Sequence, residues 1–446
     1  MVNTPLSEIR IPKIIFRLVG SFFTGLCIGF VLVIIIGYLI DIISYPGMKK
    51  IGNRALQDLR KITISPDRNA WDFYGPALDK IGDREPSPAL IRYAVGETLL
   101  TETINDEITA AQDIYELIEK GNRQPGCVVP LDYSQGWKMI QPDYDRVVGI
   151  SQLISARSFL HLDRGEMDGS LRSIYLGLAF IRNLTYGTPQ LINYSQGIAL
   201  LQKQLRPLRV GLRAGRFRPG QLASISAYLD DLEVGFPTLR WVIEGEINIR
   251  KVGFSNLPLF MPVEFGSPRV IKGTLVEKIG YSVWMRFLLW RYCFSSRFGI
   301  IMALKFWDQI IDELEKMELN YLNKTWPQDK DSLVMVNLRL FRYSRQNPIF
   351  LATVPPLSGF FRTKTEMLTR IRLLNLATRL WSYRNEHGRF PLSLSEIDHY
   401  STIEPFTGVA WHYDWSPDSV VITSPGYNEI YGDVNDLTLT LKKTSD

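Results

Sequence analysis

The sequence predicts a mainly α protein with an N-terminal transmembrane helix, a helical bundle or irregular α-array, and a small C-terminal α+β module containing an antiparallel sheet. Three observations predict it. Leu18 to Ile40 carries no charge. From there to about residue 350, apolar residues recur at helical spacing. Near the end, AWHYDW, VVITS and LTLTLKK alternate as strands do. The expected organisation is a tail at 1–17, the transmembrane helix at 18–40, a helical domain at 45–350 and the C-terminal module at 364–446.

Leu18–Ile40 (LVGSFFTGLCIGFVLVIIIGYLI) is 23 residues long. As a helix it covers roughly 34 Å, enough for a hydrocarbon core of about 30 Å. Its 15 Leu, Ile, Val and Phe residues favour insertion by roughly 5 to 9 kcal/mol. The run exceeds the h-region of a cleaved signal peptide, and Ser44-Tyr45-Pro46-Gly47 is a poor cleavage site. A retained anchor in the lipid bilayer is therefore expected. Ser21, Gly25 and Gly29 form a stripe of small residues suited to homodimer contact, although glycine is common in membrane helices anyway. Arg10, Lys13 and Arg17 precede the anchor; Lys49, Lys50, Arg54, Arg60 and Lys61 follow it. That count mildly favours a cytoplasmic body, a rule that long domains escape. A second aromatic run, Tyr281 to Trp307, is interrupted by Arg286, Arg291, Arg297 and Lys305. Three central arginines cost about 8 to 10 kcal/mol, so a buried helix is expected there, with an interfacial one as the alternative.

The body reads as helices with punctuation. Ile81 to Glu119 is helical in pattern and closes at Gly121 and Pro125. Tyr144–Leu162 and Asp168–Leu184 flank DRGEM as a hairpin, with Gly165 placed for a left-handed turn. A second hairpin runs from SQGIALLQKQLRPLRVGLRAG into RFRPGQLASISAYLDDLE through Gly215. The two turns are 50 residues apart, which is not a tetratricopeptide period of about 34. Long loops at 121–142 and 253–273 are where a binding groove is expected.

Composition narrows the function classes. Over 446 residues, 46% are apolar and 22% charged, which excludes a disordered acidic chain or a polytopic membrane protein. A net charge of +5 spread over this length does not indicate nucleic acid. Cys27, Cys127 and Cys293 lie too far apart for a disulfide framework, leaving at most a Cys127–Cys293 pair. No phosphate-binding, dinucleotide-binding, HExxH or GxSxG motif is present. Glu244 and Glu246, two apart on a helix, diverge and read as surface charge. Arg206, Arg209, Arg213, Arg216 and Arg218 read as a solvated face, or as a surface for an acidic partner or lipid. His161 stands alone. His387, His399 and His412 lie near Glu386, Asp398 and Asp414, but their spacing matches no local zinc motif.

The stretch Glu366–Glu386 carries Met367, Ile371, Leu374, Leu380 and Trp381 at helical spacing, then stops at Gly388 and Pro391. His387 falls in the last turn, where the helix dipole favours it. Ser393-Leu-Ser-Glu396 is a capping box for a short helix. Next come PFTG, a turn; AWHYDW, a strand with Trp411, Tyr413 and Trp415 on its core face and His412 and Asp414 opposite; SPDS, a hairpin turn; and VVITS.

The phrases A..L..YR.EHGRFP.SL.E, EPFTG..W.Y and VITSPGYNEIYGDVND resemble the C-terminal half of type II secretion major pseudopilins. They are also similar to C-terminal modules of large envelope proteins of planctomycete-type bacteria. The resemblance covers about 75 of 446 residues and implies a helix packed on a small antiparallel sheet. It also implies a body outside the cytoplasm, on a bacterial inner membrane facing the periplasm. It further implies a weak calcium site, with Asn428, Asp433, Asn435 and Asp436 as the corresponding oxygen donors. The paired glycines of that loop are missing, and so is the prepilin peptidase pattern around Gly20 and Gly29; assembly into a fibre is not expected.

Two functions follow as expectations. The first is a single-pass envelope protein whose extracytoplasmic helical domain binds or scaffolds a protein partner, without evident catalysis or cofactor. The alternative is a membrane-anchored hydrolase or metal-dependent enzyme, with its site in the 121–142 or 253–273 loops or near His387, His399 and His412.

Overall fold

The structure, a computed structural model, describes residues 39, 42–61, 68–82, 84–256, 357–397, 402–426 and 437–442. It is mainly helical, with a three-stranded antiparallel sheet near the C-terminus. Helix α1 spans 42–60. Short helices follow: α2 (Trp71–Gly82), α3 (Pro88–Ala94), α4 (Glu102–Ala110) and α5 (Gln112–Asn122). Beyond a 3-10 segment at Tyr133–Lys138 come α6 (Tyr144–Asp163), α7 (Met167–Gly187), α8 (Leu191–Gln204), α9 (Arg206–Arg213), α10 (Pro219–Val234) and α11 (Leu239–Ser255). The chain is described again at α12 (Leu357–His387), a 3-10 turn (Leu394–Glu396), β1 (His412–Trp415), β2 (Ser419–Ser424) and β3 (Leu437–Lys442).

The helix boundaries are set by local chemistry. Ser87 accepts from the Leu90 amide ahead of α3, Thr101 from Ile104 ahead of α4, and Asp143 from Asp145 and Arg146 ahead of α6. The helical pattern from Ile81 to Glu119 is accordingly split into several helices. Gly96, at φ +68°, ends the first piece and the Thr101 cap opens the next. Gly121 sits inside the last turn of α5 rather than beyond it. Both hairpin turns form where expected, with Gly165 at φ +75° and Gly215 at φ +59°. His161 closes the first turn, its Nδ1 lying 2.6 Å from the Glu166 carboxylate. The second hairpin differs in its first arm, which breaks at Leu205 into α8 and α9. Pro207 lacks the amide that would continue the α8 ladder.

Among the described residues the larger of two hydrophobic clusters links helices and sheet. It includes Ile174 and Leu178 on α7, Ile198 on α8, Leu208 on α9, Ile225 and Leu229 on α10, Ile371 and Leu380 on α12, and Ile422 and Leu439 on the sheet. The helix of the C-terminal module, expected from residue 364, is part of α12, which spans Leu357–His387. Helix α12 also joins α10 through polar contacts. Ser226 Oγ donates to Asn375 Oδ1 at 2.7 Å and Asn375 Nδ2 to Asp230 at 2.5 Å. Arg372 meets the Glu233 Oε1 at 2.8 Å through Nε and 2.7 Å through Nη2.

The strands order β1-β2-β3, with Tyr413 opposite Ile422 and Val421 opposite Thr440. Val420, Ile422, Leu439 and Leu441 are fully buried, as their alternation predicts. In the β1 region Trp411 is buried and Tyr413 partly so, while His412 and Asp414 are exposed and 3.2 Å apart. Trp415 departs from the expected core face and is 39% exposed. It closes the edge strand, where no further strand among the described residues covers it.

The expected anchor at 18–40 lies outside the described residues except for Leu39. So do Ser21, Gly25, Gly29, the 281–307 run, His399, most of the 253–273 loop, and Cys27 and Cys293. Among the described residues no helix is long and apolar enough to cross a membrane. Cys127 is a buried free thiol, pushed up to about 12 by burial and then by Asp72.

Candidate functional site

The strongest site is a cavity of about 640 Å³ where α8, α9 and α12 meet the sheet. Its charge comes from two helix faces. On α9, Arg206 and Arg209 are three residues apart; on α12, Arg362, Glu366 and Arg370 recur every four. Both spacings stack side chains on one helix face. Lys203, from the last turn of α8, adds a fifth cation. Leu205, Leu373, Leu374 and Phe406 supply apolar wall, and Leu437 and Thr438 of β3, with Gly426 just beyond β2, border the cavity on the sheet side.

Two of the arginines are held in place. Arg209 Nη2 donates to the Thr438 carbonyl at 2.7 Å, tying α9 to β3. Arg370 Nη2 donates to Glu366 Oε1 at 2.8 Å along α12. The Nε atoms of Arg209 and Arg370 meet no acceptor among the described residues. Burial, followed by the charges of Arg370, Arg213 and Arg206, depresses the Arg209 pKa below its usual value. The site therefore concentrates positive charge at some electrostatic cost.

Of the five clustered arginines, only two reach this cavity. Arg209 is half-buried rather than solvated, because β3 packs against its end. Arg216 instead donates to the Leu162 carbonyl at 2.9 Å, and Arg218 lies at the start of α10 with Gln221 accepting from its amide at 2.9 Å. The opposite wall (Arg362, Glu366 and Arg370) was missed by local reading. Its one sequence signal is the four-residue spacing, which names no partner.

The other candidates resolve differently. Glu244 pairs with Arg240 and Glu246 with Arg250, both at 2.8 Å, so the carboxylates diverge as expected. Glu246 is more enclosed than expected, its other oxygen facing the Leu191 amide at 3.4 Å. The 121–142 loop is pinned to α11. Tyr133 and Met139 are buried with Ile249 and Val252, and Gly136 approaches the Gly253 backbone too closely for a Cβ. Asn428, Asp433, Asn435 and Asp436 lie outside the described residues, although Gly426 and Leu437, the described ends of their segment, both border the cavity. Among the described residues no group of three or more His, Cys, Asp or Glu could hold a metal ion.

His387 and Glu386 are exposed at the end of α12. The His387 Nδ1 lies 2.9 Å from the Tyr383 carbonyl and its ring stacks on Tyr383 at 4.0 Å. Gly388 follows at φ +74°. This geometry is a helix stop. Glu396 then gathers the turn: its Oε1 accepts from the Leu392 amide at 2.6 Å and the Ser393 amide at 3.3 Å, while Oε2 accepts from Tyr383 Oη and from Arg389 at 3.1 Å. The EPFTG phrase has a similar explanation. Glu404 is fully buried and accepts from the Thr407 amide at 2.7 Å, the Thr407 hydroxyl at 2.8 Å and Ser424 Oγ at 2.8 Å, binding the turn to β2.

Glu396 predicts an acid response. The Tyr383 hydrogen bond, then the Leu392 amide and Arg389, hold its carboxyl down to about 2, against about 4.3 for an unperturbed glutamate. A depressed folded-state value stabilises the fold above the unfolded value, and that contribution disappears as pH falls from about 4.3 to about 2. The thermal midpoint of Glu396→Gln should therefore fall less steeply than that of wild type between pH 5 and 2. Parallel curves would show that these bonds do not favour the ionised form.

No protein-family model matches the chain, and no curated protein or solved structure does either.

Proposed function

We propose that this chain is a single-pass, membrane-anchored envelope protein whose extracytoplasmic helical body serves as a binding or scaffold unit. The observation that carries the binding reading is the cationic cavity. It is assembled from α8, α9, α12 and β3, places distant in sequence, and Arg209 and Arg370 are held there by named partners. Pre-positioned guanidinium groups suit recognition of an anion. The uncharged run at 18–40 supports the anchor. The likeness of HGRFP, EPFTG and the following strands to pseudopilin modules supports a body outside the cytoplasm.

A reporter enzyme active only outside the cytoplasm, fused after Asp446, tests the placement. Activity there, with a cytoplasmic reporter silent at the same junction, is the expected result. The reverse pattern overturns the topology.

A further inference from the structure

We propose that the groove between α7 and α10 docks an extended, acidic segment of a partner protein, with a carboxylate held between Arg172 and Arg218. The groove has a volume of about 630 Å³, and every residue lining it lies within the continuously described stretch 84–256. It is separate from the cavity at α8, α9 and α12, so a failure of anion binding there leaves this docking site standing. Side chains bridge the two helices along their length. Gln221 Nε2 donates to Asp168 Oδ1 at 2.6 Å, Tyr175 Oη lies 3.4 Å from Ser224 Oγ, and Arg182 pairs with Asp231 at 2.8 Å. The partners ascend together in both helices, so α7 and α10 run parallel. From residue 168 to 182 the rise along α7 is roughly 21 Å. At about 3.3 Å per residue, an extended peptide of about six residues matches that length; a compact small molecule does not.

The walls select the chemistry of that peptide. Leu171 is buried and Tyr175 half-buried beneath the groove. The Tyr175 ring is preset, stacked on Tyr228 at 4.2 Å, and Tyr228 Oη donates to the Tyr175 carbonyl at 3.3 Å. Arg172 from α7 and Arg218 from the start of α10 stand exposed on opposite walls. Farther along the seam Arg182 has Asp231, whereas these two guanidinium groups form no ion pair among the described residues. Asp168, the acidic residue lining the groove, is engaged by Gln221. The two arginines therefore present open donor forks, which match a carboxylate. One turn beyond Arg182, Tyr186 is 38% exposed and its ring lies 5.7 Å from Trp241, a second aromatic landing on the same helix face. Tyrosine, tryptophan and arginine are the side chains that carry most binding energy at protein interfaces.

The test uses the full chain in a nonionic detergent at low salt. The probe is a rhodamine-labelled decapeptide of alternating glutamate and tyrosine, followed by fluorescence anisotropy, with a lysine–tyrosine peptide of equal length as control. Wild type is expected to bind the acidic peptide, and added sodium chloride to weaken the binding. Arg172→Gln and Arg218→Gln should each weaken it roughly tenfold, and the double variant further, as loss of hydrogen bonds to a charged group requires. Both side chains are exposed, so the thermal midpoints should stay at the wild-type value. Arg123→Gln removes an exposed charge at the end of α5 and should leave binding unchanged.

Absence of binding to the acidic peptide overturns the docking site. So does binding that is equal in wild type and the double variant, or equal for the glutamate and lysine peptides. A loss in Arg123→Gln as large as in the groove variants overturns it too, because the peptide then responds to charge anywhere on the surface. Displacement of the peptide by phosphatidylglycerol added to the micelles, but not by phosphatidylcholine, overturns the protein partner in favour of a lipid surface.

Discussion

Replacing Arg372 with methionine is expected to destabilise the protein by about 3 to 5 kcal/mol, while Arg372→Met combined with Glu233→Leu recovers most of that loss. The two side chains are 4% exposed each, so water screens neither charge. Arg372 Nε and Nη2 both reach Glu233 Oε1, and Oε2 has no hydrogen-bond partner among the described residues. The methionine variant therefore leaves a carboxylate buried between α10 and α12 without the cation that faces it. Removing both groups replaces a buried ion pair with apolar side chains, and such exchanges are often neutral or stabilising. Denaturant midpoints of wild type, both single variants and the double variant close the cycle. A double variant as unstable as the sum of the singles would show that the pair does not act as a unit. The pair, with Asn375 bonded to Ser226 and Asp230, then serves to fix the register of α12 on α10. That register decides where Arg362, Glu366 and Arg370 point, and so bears on the cavity.

How far the fold could be read in advance depended on the range of the interactions. Gly165, Gly215 and Gly388 were legible because a left-handed turn is a property of a few residues. The same holds for Glu396, which acts three residues from Ser393. Met367, Ile371, Leu374 and Leu380 were legible as a buried stripe, since helical period alone defines a face. Period does not say what covers that face. Trp415 alternates correctly with Tyr413, yet lies at the end of an edge strand and stays exposed. The cavity was hidden for the same reason. Arg206 and Arg209 are conspicuous in sequence, but Arg362 and Arg370 stand more than 150 residues away. Only the packing of α12 against α8 and α9 brings the two sets together. The break between α8 and α9 was missed because Pro207 interrupts the backbone ladder without disturbing the apolar pattern around it.

Trp381→Ala is the second large effect expected, at about 3 to 5 kcal/mol for loss of a buried tryptophan. Trp381 is 5% exposed and touches three elements at once. Its Nε1 donates to the Leu212 carbonyl at 2.7 Å, in the last turn of α9. Its ring meets Phe390 edge-on at 5.2 Å, and Arg384 lies over both rings, 4.9 Å from the Trp381 centroid and 5.2 Å from that of Phe390. This contact is the physical content of the HGRFP phrase: the helix stop folds Phe390 back under Trp381. The ring also covers Gly215, where an added Cβ would lie 2.6 Å from Trp381 Cη2. Gly215→Ala should therefore carry two penalties in wild type, about 1 to 2 kcal/mol for a left-handed alanine and a further steric cost against the indole. In the Trp381→Ala background only the first should remain, so the two substitutions should be strongly non-additive. Equal costs of Gly215→Ala in both backgrounds would mean that backbone conformation alone demands glycine there. Coupling of the expected sign would show that the C-terminal unit is packed against the α9–α10 turn, and that Trp381 helps hold α9, with its cavity arginines, in position.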